Sequence, residues 1–76
     1  MSKTSKIYYG LIDNNIDITD IALQTCITNG TLNIPSDDYV RADLFGDPVY
    51  GYVKSIFIDS VEYNAETEIS IKNFNS

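Results

Sequence analysis

The chain contains no histidine. That one absence removes the Ser/His/Asp and Cys/His arrangements, histidine-ligated zinc and the ordinary near-neutral pH switch together. Cysteine is scarce as well: Cys26 stands alone, so no disulfide can form within the chain. Its apolar surroundings mark it as a small buried hydrophobe and not a nucleophile. Positive charge is in short supply, with 5 Lys plus Arg against 11 Asp plus Glu and a net charge of −6. That is the wrong sign for direct contact with nucleic acid. No apolar run approaches the roughly 18 residues of a membrane-spanning helix, and the polar start from Met1 to Lys6 is not followed by a signal-peptide core. The expectation is an intracellular, cytoplasmic protein with no membrane partner. Asn29-Gly30-Thr31 fits a glycosylation sequon, but without a secretory signal the match carries no meaning.

What remains is one small domain's worth of chain, 76 residues, of which 43% are hydrophobic and 12% aromatic. This is too apolar for a disordered acidic tail. A core of this size barely offsets conformational entropy, so help from association is expected, a homo-oligomer included.

The segment Lys6 to Ile12 is rich in β-branched and aromatic residues and reads as a strand, with Gly10 marking a bulge or kink. Asp13-Asn14-Asn15 reads as a turn. Ile18, Ile21, Ala22 and Cys26 recur at helical spacing behind Asp17 or Thr19 as a cap, which predicts one short helix. Asn29-Gly30 suits either a helix C-cap or a type I′ hairpin turn. Leu32 and Ile34 alternate with Asn33 in a brief strand that Pro35 ends. Ser36 to Tyr52 holds too many turn formers for regular structure, with room for one helical turn between Tyr39 and Phe45. Val53 to Ile58 is apolar on both sides and predicts a central strand. Val61 to Tyr63 and Glu68 to Lys72 then read as two further strands of a meander. The expected fold is mainly β, a small antiparallel sheet or sandwich with one short helix, with α+β as the alternative. It occupies residues 6–73, with flexible ends at 1–5 and 74–76.

Tyr9-Gly10, Asp17-Ile18-Thr19, Asn29-Gly30 with Leu32-Asn33-Ile34-Pro35, and Phe45-Gly46-Asp47-Pro48 with Gly51 and Lys54 follow one another in a characteristic order. This order resembles the small C-terminal domain of a mitochondrial J-protein family, a domain of unknown function also seen in bacterial and giant-virus proteins. The resemblance runs from about Ile7 to Ile71 and implies a compact β-rich accessory module with no assigned catalysis. The chain departs from the mitochondrial form in carrying no J-domain, which leaves a mitochondrial role without support. Its richness in Ile, Asn and Tyr is what an AT-rich genome produces, and is compatible with a viral source.

Candidate chemistry is thin. Asp13, Asn15, Asp17 and Asp20 have the spacing that opens a calcium loop, but Ile18 stands where the loop needs glycine and Gln24 where a glutamate must close it. Gly46-Asp47-Pro48 with Gly51 lacks the Gly-Lys-Ser/Thr ending of a phosphate loop, and reads instead as a turn shaped by its own residues. For paired carboxylates such as Asp37-Asp38 or Glu66 with Glu68 nothing fixes the separation that hydrolysis needs, and a domain this small has little room for a water-excluding cleft to retune them. No cofactor or metal is expected, and no enzymatic activity. Arg41 is expected in an exposed pair with Asp43, Asp38 or Asp47.

Two features point to binding. Residues 13 to 47 carry seven acids against Arg41 alone, while the rest of the chain is balanced. Six tyrosines, Tyr8, Tyr9, Tyr39, Tyr50, Tyr52 and Tyr63, are many for this length and belong to the residue type that anchors interfaces. The expected function is a small acidic, non-enzymatic interaction or structural module with Tyr39, Tyr50, Tyr52, Asp47 and Arg41 as its binding residues. Its partner would be a protein, either itself or a basic one. A carbohydrate-binding module, or an acidic inhibitor of a basic protein, are the alternatives.

Overall fold

The computed structural model describes residues 5–49 and 51–74. Its first strand, β1 (Ile7–Leu11), turns Ile7 and Tyr9 inward, both fully buried, while Tyr8 between them stays half-buried on the opposite face. A two-residue turn at Ile12 and Asp13 leads into β2 (Asn14–Asp17), so the expected turn is tighter than the sequence suggests and Asn14 and Asn15 already belong to a strand. Gly10 lies opposite Asn15 with φ of 146°. A Cβ there would sit 2.4 Å from the Asn14 carbonyl oxygen and 2.6 Å from Asn15 Cα. Only glycine allows so close a backbone approach.

The helix α1 (Thr19–Thr25) begins without a side-chain bond from its N-cap Ile18. Asp17 supplies the missing acceptor one residue earlier, taking bonds from the Thr19 amide at 2.9 Å and the Thr19 hydroxyl at 2.6 Å. The Thr19 hydroxyl oxygen in turn accepts from the Ile7 amide, 2.9 Å away, which clips the helix start onto β1. Ile18 and Ala22 face the core, and Cys26, at the helix end, is buried as expected.

Two more hairpins use turns with positive φ. Asn29 and Gly30 (φ 52° and 77°) join β3 (Ile27–Thr28) to β4 (Thr31–Ile34), and Asp59 and Ser60 (φ 50° and 70°) join β5 (Ser55–Ile58) to β6 (Val61–Tyr63). Both match the right-handed twist of a two-residue hairpin. The choice left open at Gly30 thus falls to the hairpin.

The long polar stretch after Pro35 folds into a second helix, α2 (Asp38–Phe45), of eight residues where the sequence suggests a single turn. Asp37 starts it by accepting from the Tyr39 amide at 2.8 Å, and Gly46, at φ of 90°, ends it. The last strand, β7 (Ile69–Ile71), corrects the expected meander. It leaves β6 and pairs with β4, Ile34 opposite Ile69 and Leu32 opposite Ile71. Alternation shows which residues need burial, but not which strand provides it.

The result is two antiparallel sheets, ordered β2-β1-β5-β6 and β3-β4-β7, with two short helices, a mainly β architecture as expected. One apolar cluster takes residues from both sheets and both helices, including Tyr9, Ile56, Ala22, Phe45, Leu32 and Ile69. β5 is buried along its whole length between β1 and β6, in agreement with a central strand. Phe74, expected in a frayed end, packs on the cluster, and its amide bonds the Gly30 carbonyl at 2.8 Å. No helix among the described residues is long and apolar enough to cross a membrane.

Candidate functional site

Lys54 immediately precedes the fully buried strand β5, and its side chain is 1% exposed. An ammonium in that position needs acceptors. It finds Asp38 Oδ2 at 3.0 Å, Asp47 Oδ1 at 3.1 Å and the Tyr52 carbonyl, with the Val49 carbonyl at 3.4 Å. The Lys54 amide also donates to Asp38 Oδ1, 3.2 Å away. The same oxygen accepts from the Tyr9 hydroxyl at 2.7 Å, and the Lys54 ammonium lies 5.6 Å from the centre of the Tyr9 ring. Phe45 meets that ring edge-on at 5.7 Å. Sheet, helix and loop are thereby joined through one cluster: Tyr9 from β1, Asp38 from α2, Asp47 from the loop, Lys54 at the head of β5.

The electrostatics of the cluster follow from this geometry. Burial favours the neutral form of Asp38, but the bonds from Tyr9 and Lys54 outweigh it and hold the carboxyl below its usual range. Burial likewise disfavours charge on Lys54, and Asp38 and Asp47 overcome it and raise the ammonium above its usual value. Tyr9 is pushed well above the ordinary phenol range by burial, then by its bond to Asp38. Asp38, Lys54 and Tyr9 are each held in the ionic or neutral state that group already prefers at neutral pH.

Above the cluster opens a cleft of about 320 Å³. Asp38 and Lys54 form part of its floor; Tyr39 and Ala42 line it from α2, Gly51, Tyr52 and Val53 from the segment before β5, and Asp47 and Glu66 complete it. Tyr39 is 88% exposed and Tyr52 61%. Three of the residues expected from the sequence, Tyr39, Tyr52 and Asp47, therefore share one cleft. Tyr50 lies outside the described residues.

Arg41 departs from its expected place. It is fully buried, makes no ion pair among the described residues, and donates through Nε to the Pro35 carbonyl and through Nη2 to the Thr67 carbonyl. Those two bonds fasten α2 to the end of β4 and to the β6–β7 connection, which leads into the strand that pairs with β4. Nη1 has no partner among the described residues, and burial lowers the guanidinium's proton affinity. Arg41 is a tether and not part of the cleft lining.

Lys54 and Tyr9 were not singled out as site residues by the sequence, and Asp38 and Glu66 were set aside as carboxylates without a cleft, whereas both line one. Lys54 carried a readable signal: a lysine at the head of a strand with apolar residues on both faces has to be paired. Glu66 carried none, since it sits at φ of 59° in a connection whose path depends on β7 crossing over. The calcium-like residues do not form a site either; Asp17 is engaged with Thr19, and no group of metal-binding side chains occurs among the described residues. A second, shallower depression of about 180 Å³ lies on the outer sheet face, where Tyr8 and Phe57 are cross-strand neighbours.

No family model matches the chain, and searches of curated proteins and of solved structures find no match either.

Proposed function

We propose that this chain is a small, non-enzymatic interaction module whose binding face is the cleft between α2 and the segment leading into β5. One observation carries the reading: two tyrosines, Tyr39 and Tyr52, stand largely exposed on the walls of a cleft whose floor is a completed ionic cluster. Exposed tyrosines around a preformed hollow supply rigid contact area at low entropic cost. The floor supports a binding role over a catalytic one. Acid–base catalysis needs groups tuned toward neutrality, whereas Asp38 is lowered and Lys54 and Tyr9 are raised.

The resemblance to the J-protein C-terminal domain belongs to this proposal. It rests on the order of the sequence motifs from Tyr9-Gly10 to Lys54. An intracellular location accompanies the reading, since the single buried thiol needs no oxidising compartment. The test is affinity capture from cell extract with wild type beside a Tyr39→Ala, Tyr52→Ala double variant. Proteins retained by the wild type and lost with the variant are expected; identical retention would remove the cleft as the binding face.

A further inference from the structure

We propose that the cleft takes a lysine or arginine side chain of a basic partner segment, stacked against Tyr39 and Tyr52 and paired with Glu66 and Asp47; this rests on the reading of the cleft as the binding face. The argument is charge complementarity between the cleft and its occupant. The lining contains three carboxylates, Asp38, Asp47 and Glu66, and one ammonium, Lys54. Lys54 is buried, and its three donors are already engaged with Asp38, Asp47 and the Tyr52 carbonyl. It has nothing left to offer an anion. Arg41 is the other cation close by; it is buried, held by two backbone carbonyls, and absent from the cleft lining, so its unpartnered Nη1 does not face a ligand there. Counting both cations, the site keeps one negative charge in excess, within a chain of net charge −6.

Glu66 is exposed and has neither a hydrogen bond nor an ion pair among the described residues, and Asp47 keeps Oδ2 free of hydrogen bonds within them. The charged groups available to a ligand are therefore acceptors only, in a cleft lined as well by two exposed tyrosines. A phosphate or carboxylate ligand would meet repulsion there. A cationic head on an aliphatic stem would instead meet carboxylates at its tip and tyrosine faces along its length.

The test is an amide NMR titration of the isotopically labelled chain with a short arginine-rich peptide, a neutral oligosaccharide, and the unlabelled chain itself. The peptide is expected to shift Tyr39, Ala42, Gly51 to Lys54 and Glu66 more than Asp13 and Asp20. Its affinity should fall about 3- to 10-fold in Tyr52→Ala and in Glu66→Gln, and weaken with added salt. Both side chains are exposed, so the unfolding midpoints of the variants report separately that the fold is intact. Shifts spread evenly over the acidic surface, or variants that bind like wild type, would overturn the proposal. If the oligosaccharide or the second copy moves the cleft amides and the peptide does not, the cation assignment falls while the binding face stands. If none of the three moves them, both fall.

Discussion

Lys54 illustrates how one residue sets the pH range of the molecule. Its folded-state proton affinity is raised, as is that of Tyr9, so each contributes stability that is present below the unfolded value and is lost as pH rises through the folded one. Asp38 and Asp17 are lowered, Asp17 chiefly by the Thr19 hydroxyl, and contribute stability that is lost as pH falls through their folded values. Unfolding free energy is therefore expected to be flat across neutral pH. It should decline below the ordinary carboxylate value of 3.8 and again above the ordinary phenol and ammonium values of 10.0 and 10.5. Denaturant titrations across that range check it; a decline centred near neutral pH would contradict it, since the chain has no histidine to produce one. Lys54→Met removes the cation and leaves Asp38 and Asp47 facing each other. A loss of about 2–3 kcal/mol is expected, below the full value for a buried pair because both carboxylates retain some solvent.

At the scale of elements, what was legible depended on whether the determining contacts were local. β1, the Asn29-Gly30 turn, the stop at Pro35 and the central β5 follow from alternation and turn chemistry, which act within a few residues. α2 was underestimated because Asp, Gly and Pro crowd the segment around it. Asp37 and Gly46 are the helix's two ends, and turn formers at the boundaries of a short helix resemble turn formers throughout. The crossing of β7 was illegible for a different reason: its partners lie far away in sequence, Ile69 and Ile71 against Ile34 and Leu32, and the Arg41 bond that anchors the connection before it reaches the Thr67 carbonyl 26 residues on. Gly10 gives the sharpest test of an element. Its substitution by alanine forces the β1–β2 hairpin apart, because the obstructing atoms are backbone. A loss of roughly 3 kcal/mol or more is expected in chemical denaturation. A loss under about 1 kcal/mol would mean the hairpin is free to shift.

For the whole molecule, a radius of gyration of 11.6 Å agrees with the value of about 11 Å expected for a compact chain of this length. Within that small volume, buried charge and exposed aromatic surface are kept apart. Arg41 and Lys54 are among the largest fully buried side chains, while Tyr39 and Tyr52 stand outside. The candidate site was half legible: the excess of tyrosine and acid singled out Tyr39, Tyr52 and Asp47, and these three do share a cleft. Arg41 misled, because composition gives a cation's charge without its depth. The acidic stretch also draws in a cation from outside itself, Lys54, which engages two of its seven carboxylates, Asp47 through one oxygen only, and offsets part of the field.

The measurement that tests this separation most directly is the thermal unfolding midpoint of the Tyr39→Ala, Tyr52→Ala double variant beside that of Lys54→Met. In a domain of this size about 1 kcal/mol moves the midpoint by roughly 4–8 °C. The Lys54 variant is expected to fall by about 10 °C or more and the tyrosine variant by no more than about 3 °C. A tyrosine variant that falls as far as Lys54→Met would mean that the walls of the cleft are part of what holds the fold together, and that they are not a surface kept open for a partner.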